Sequence, residues 1–297
     1  YKQNNVFDEA LKRIRWLYDE FDDVVVSFSG GKDSVVVYEL TLIVARERNR
    51  LPLKVLFLDQ EAELQATIDL MEEVMTSDEV EPMWFQMPMK IFNATSSDDP
   101  WIFCWDKDKE DVWMRPRVPY AITENVYGTD RFKAMFTAIM KHDFAPKSVN
   151  IGGVRGEESP ARLLSLTGAV TYKGETWGKL LDKDNDKYTF YPIYDWSYTD
   201  VWKSIHDNNW NYNRVYDQQF SWGVPVLEMR VSSLCHETSV SNLKYLQEVE
   251  KETWVKLTQR LKGIDTEGKF GKDLGCPKNL PYMFKTWHEY RDYLAEN

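Results

Sequence analysis

The six residues Ser29-Gly30-Gly31-Lys32-Asp33-Ser34 carry the densest chemistry in the chain. Two adjacent glycines let a backbone turn tightly and approach a ligand closely. If a helix begins here, the amides of residues 30–34 lie at its N-terminus, where the macrodipole favours an anion. Ser29 and Ser34 add hydroxyl donors and Lys32 adds a positive charge. The set suits a phosphate or pyrophosphate. The Walker A spacing G-x-x-x-x-G-K-[ST] is absent. The plain alternative is a glycine-rich turn with a helix cap.

A second group begins at Gly153 and runs Val154-Arg155-Gly156-Glu157-Glu158-Ser159-Pro160-Ala161-Arg162. Arg155 follows a strand-like segment at the end where open parallel sheets bind ligands. An arginine there can grip phosphate or sulfate with two parallel hydrogen bonds, or form a surface ion pair. Arg162 lies seven residues on, on the same side if the intervening turns are helical, with Glu157 and Glu158 in that helix's first turn. Asp59 ends another strand-like run. Three roles stay open for it: holding magnesium together with Asp33, bonding a ribose hydroxyl, or capping the next helix. Lys32, Asp33 and Arg155 are the candidates for direct catalysis.

These residues need a scaffold, and the hydrophobic pattern outlines one. Apolar residues at helical spacing over 7–21 open the chain. Residues 24–28 and 53–58 read as buried strands, each followed by a helical stretch, over 35–48 and 64–75. Residues 83–87 offer a third strand and 147–151 a fourth, with a helix over 131–141 between them. Strands alternating with helices predict an α/β fold: a parallel twisted sheet with helices on both faces. Residues 88–119 break the pattern with three tryptophans and four prolines, and read as a long ordered insertion near the ligand site. Within it Trp101, Trp105 and Trp113 with Arg115 and Arg117 form either a lid over the ligand or a packed insertion touching none. Residues 172–188 read as a hairpin or surface loop, and 198–208 as a helix. Asp195, three residues before that helix, is expected in its cap region. The expected division is a nucleotide-binding domain over 1–210 and a mostly helical portion over 211–297.

Composition narrows the partners. The chain has 297 residues, with 37 Lys+Arg against 48 Asp+Glu and a formal net charge of -11. That balance disfavours direct non-specific nucleic-acid binding, which needs a basic face. The three cysteines, Cys104, Cys235 and Cys276, are too few to hold an iron–sulfur cluster and too scattered for a disulfide framework. They point to a reducing cytoplasm. No apolar run approaches the roughly 20 residues of a membrane span.

The SGGKDS loop resembles the PP-loop of the N-type ATP pyrophosphatase superfamily, whose fold is adenine nucleotide alpha hydrolase-like, a Rossmann-like arrangement. The Gly153–Arg162 block resembles the G-x-R-x-x-E-S-x-x-R block of phosphoadenosine phosphosulfate (PAPS) reductases. Pro192-Ile193-Tyr194-Asp195-Trp196 and the following residues to Trp202 resemble a further block of that family. The resemblance implies binding of ATP, or of AMP or a PAPS-like nucleotide, with magnesium and with chemistry at the α-phosphate. It assigns cofactor contacts to residues 29–34, Asp59, Arg155 and Arg162.

The family's reductases act through a cysteine in an E-C-G-x-H block near the C-terminus, which this sequence lacks. A thioredoxin-dependent reductase is therefore not expected. Cys235, followed by His236, is either a reactive thiolate or inert packing. Across most of its length the chain resembles the IbrA/YbdN-type branch, described as co-activators of prophage gene expression. That resemblance implies a ParB-like protein partner, and with it a second function: a non-catalytic, nucleotide-sensing subunit. Tyr245, Trp254, Tyr282 and Trp287 are offered as interface anchors, or as internal packing.

Overall fold

The first strand, β1 (Asp23–Ser27), alternates its side chains between two cores. Val24 and Val26, with Phe28 beyond the strand, enter one core, and Val25 enters the other. The neighbouring β2 (Leu53–Leu58) repeats the pattern, with Val55 and Phe57 on one face and Leu56 on the other. A strand buried on both faces needs helices on both. The computed structural model describes residues 5–96, 99–236, 243–261, 263–264, 280 and 283–296.

Helix α1 (Val6–Glu20) packs on α2 (Lys32–Glu47), which connects β1 to β2. Helix α3 (Gln65–Met75) connects β2 to β3 (Val80–Phe85). Both crossovers run outward across the sheet, and a right-handed crossover places both helices on the same face. The chain then forms an antiparallel ribbon, β4 (Met89–Phe92) with β5 (Trp101–Cys104). It returns through α4 (Phe132–Asp143) to β6 (Ser148–Ile151) on the far side of β1, which sets α4 on the opposite face. Helix α5 (Pro160–Thr167), β7 (Gly178–Asp182), β8 (Lys187–Phe190) and α6 (Tyr198–Asp207) follow. The strand order is β3-β2-β1-β6-β8-β7, parallel except for β7. The expected α/β sheet is thus present.

Three sequence expectations change. Residues 187–190 form an inner strand beside β6, not merely one arm of a surface hairpin. The 88–119 insertion contains the β4–β5 ribbon and a 3-10 helix, Lys107–Val112. Asp195 does not cap α6. Ser197 accepts from the Asp200 amide, and the Asp200 side chain accepts from the Ser197 amide. Asp195 instead takes Arg13 of α1 through two hydrogen bonds of 2.7 Å.

Beyond α6 come α7 (Val215–Ser221), α8 (Leu243–Val249), α9 (Lys251–Arg260) and a last helix, Trp287–Glu296. Leu246, Leu257 and Leu261 join the α4-side core together with the ribbon residues Ile91 and Ile102. Trp254 packs against that core, whereas Trp287 is about half exposed. Tyr282, Cys276 and the side chain of Tyr245 lie outside the described residues. No helix among the described residues is long and apolar enough to cross a membrane.

Candidate nucleotide site

The order of strands fixes where a ligand can sit. Connections leave β1 towards β2 on one side, and the chain later returns to β6 on the other. The loops after β1 and β6 therefore part at the carboxyl edge, the switch point where open α/β sheets bind ligands. The first loop is SGGKDS and the second carries Gly153 and Arg155.

Gly30 has a φ of +72°, and a Cβ there would approach Thr67 Cγ2 to 3.1 Å and Met71 Cε to 3.2 Å. Gly31 occupies the N-cap of α2 and offers no side chain to the first-turn amides. One of those amides, Lys32 N–H, donates to Tyr216 Oη at 3.0 Å. Ser34 is buried and donates its hydroxyl to Gly31 O at 2.8 Å, so it braces the loop from inside. Ser29 is the exposed hydroxyl.

Asp33 joins the two loops. One carboxylate oxygen accepts Lys32 Nζ at 3.0 Å and the other accepts Arg155 Nε. Arg155 is buried, and its Nη1 reaches Glu157 at 2.6 Å and Trp196 O at 3.3 Å. Gly153 permits this closeness: a Cβ there would stand 2.8 Å from the Asp33 carbonyl carbon. Arg155, 122 positions from Asp33, therefore converges on the Lys32–Asp33 pair. Arg162 does not join them. It is exposed on α5 and pairs with Glu158.

Asp59 is fully buried at the end of β2. Its Oδ1 accepts Glu61 N–H at 2.8 Å and Arg115 Nη2 at 2.6 Å. Its Oδ2 accepts Trp84 Nε1 at 2.7 Å and Gln86 Nε2 at 2.9 Å. A carboxylate so supplied with donors is an organiser of its surroundings. Among the described residues no three His, Cys, Asp or Glu side chains are grouped to hold a metal. Asp33 and Asp59 are each ion-paired with cations of the protein, Asp33 with Lys32 and Arg155 and Asp59 with Arg115.

Residues 23–222 match the model of the phosphoadenosine phosphosulfate reductase domain. The chain belongs to that family. It is also 28% identical over 303 residues to the uncharacterized protein YbdN of Escherichia coli K12, covering 96% of this chain and 73% of that one. Among solved structures it is similar to the PAPS reductase of Candida auris in a phosphate complex, at 12% identity and a TM-score of 0.40. That match covers 73% of this chain and 92% of the other. A second is the FMN adenylyltransferase of Candida glabrata, at 13% identity and a TM-score of 0.42, with 73% and 61% coverage.

Within this family member the described thiols are poorly placed for nucleophilic work. Cys235 is buried, and burial pushes its thiol up to about 12 although Ser233 Oγ lies 3.1 Å away. Burial raises the Cys104 thiol as well. A thiolate is the reactive form, and neither residue supplies one readily near neutral pH.

Sequence reasoning missed Tyr216 and Asn213. Asn213 Nδ2 donates to Gly30 O at 3.2 Å and to Thr67 Oγ1 at 2.9 Å. Both residues lie more than 180 positions from the loop, and no local pattern announces such a contact.

Proposed function

We propose that the chain binds an adenine nucleotide with its phosphates on residues 29–34 and works at the α-phosphate of ATP. One observation carries the reading: Asp33 holds the Lys32 ammonium and the Arg155 guanidinium together at the sheet's switch point. Lys32 Nζ, the Arg155 guanidinium and the amino end of α2 meet where a triphosphate would arrive, with Asp33 and Glu157 holding the two cations in place. Splitting between the α and β phosphates places charge on the departing pyrophosphate, and preformed cations stabilise that charge without reorganising. Asp33 orients both cations, and Gly153 keeps the two loops in register. Membership of the PAPS reductase family supports a nucleotide-type substrate. Burial of Cys104 and Cys235 supports chemistry other than thiol-dependent reduction.

A second reading has a specific observation in its favour. Asn213 and Tyr216, which lie past the expected domain boundary at residue 210, hold the loop directly. Nucleotide occupancy can thereby reach the C-terminal portion and, in the regulatory reading, a ParB-like partner. Incubation of the protein with ATP, adenosine phosphosulfate and PAPS, with products identified by mass, tests the enzymatic reading. AMP and pyrophosphate from ATP are expected. Intact ATP in every arm, or sulfite from PAPS with a thiol donor, contradicts it.

A further inference from the structure

Resting on the nucleotide reading, we propose that Arg117 anchors a second oxyanion site, which takes a sulfate or phosphate group of the molecule that reacts with the loop-bound nucleotide. The guanidinium lies 4.6 Å from the Trp113 ring centre and 5.9 Å from that of Trp105. Its one hydrogen bond among the described residues runs from Nη2 to Trp105 O at 3.2 Å. Its Nε is buried without a hydrogen-bond partner among the described residues.

Other sheltered arginines are answered differently. Arg13 meets Asp195, Arg115 meets Asp59, Arg155 meets Asp33, and Arg260 meets Glu61. Arg50 has no carboxylate partner among the described residues but donates to the carbonyls of Tyr18, Phe21 and Asp22. Arg117 has one carbonyl and no ion pair among the described residues. Burial lowers its pKa, and Glu110, Glu124 and Glu61 offset this only through longer-range attraction. A partly desolvated cation without a counter-charge is unfavourable until an anion joins it. The indole shelf fixes the plane of the guanidinium, so its free N–H groups keep a set direction.

The position fits a reacting partner. Trp105, which accepts the Arg117 bond, donates its Nε1 to Asp59 O at 2.9 Å. Asp59 follows β2, and the pairing of Ser27 with Leu56 brings the end of β2 alongside the start of the SGGKDS loop. Arg117 and the Lys32–Arg155 pair thus belong to the carboxyl edge of one sheet.

The test titrates the full chain with sodium sulfate and, separately, sodium phosphate at constant ionic strength, by calorimetry and tryptophan fluorescence. Saturable binding of at least one anion is expected. Arg117→Ala is expected to weaken it by roughly tenfold or more. Arg117→Lys, which keeps the charge and loses the planar fork, is expected to weaken it too, and decides the matter if the alanine variant does not fold. ATP affinity should stay within about twofold in these variants. Absence of saturable binding in the wild type, or unchanged anion affinity in the folded variants, overturns the site. Loss of the nucleotide reading would show separately, as ATP affinity indifferent to Lys32→Ala.

Discussion

At the scale of single residues, Glu63 shows how burial next to Asp59 becomes measurable. Burial, then the Asp59 charge, pushes the Glu63 carboxyl up to about 8 from an ordinary value near 4.5. The folded protein keeps a proton that the unfolded chain releases. The stabilisation is complete below about pH 4.5 and is lost as pH rises through about 8, at up to about 1.4 kcal/mol per pH unit. Urea unfolding from pH 5 to 8 should show this decline, and Glu63→Gln should flatten it. Equal slopes in both proteins contradict the assignment. Lys32, Asp33 and Arg155 were legible in the sequence because each sits in a short pattern beside a strand end. Asp59 was legible by position only. Its partners Trp84, Gln86 and Arg115 come from β3, from the residue just past its end and from the insertion, and the fold alone brings them together. The same holds for Glu61, whose φ of +64° sits where Arg260 grips its carboxylate through two hydrogen bonds.

At the scale of elements, polar residues in buried places hid part of the sheet. All four residues of β8 are buried, yet two are Lys187 and Thr189. Thr189 Oγ1 accepts from Asn150 Nδ2 at 2.6 Å. Lys187 Nζ donates to the carbonyls of Met140, Lys141 and Phe144 at 3.0, 2.8 and 2.6 Å, closing the end of α4. Lys187→Met removes that closure, and a loss of about 2–4 kcal/mol is expected in thermal or urea unfolding. A loss below about 0.5 kcal/mol would show that solvent satisfies the helix end. The β4–β5 ribbon escaped notice for another reason. Phe92, Trp101 and Phe103 are exposed while Ile91 and Ile102 are buried, so apolar residues occupy both faces and the two-residue alternation vanishes. Lys90 over the Trp101 and Phe103 rings makes that outer face tolerable in water.

At the scale of the whole molecule, the sheet brings two distant loops to one edge, and the later parts of the chain hold that edge from outside. Arg260 of α9 ties the C-terminal portion to Glu61, while Asn213 and Tyr216 tie it to the SGGKDS loop. The meeting of Lys32, Asp33 and Arg155 at that edge is the basis of the proposed function, and titration of ATP into the intact protein by calorimetry tests it most directly. The wild type should bind one nucleotide per chain. Lys32→Ala removes a cation, and Gly153→Ala forces a Cβ to within 2.8 Å of the Asp33 backbone; both should weaken binding by roughly tenfold or more. Arg162→Ala, outside the cluster, should change it by less than about threefold. ATP affinity unchanged in both Lys32→Ala and Gly153→Ala, or no binding by the wild type, would contradict the placement of the nucleotide on this loop.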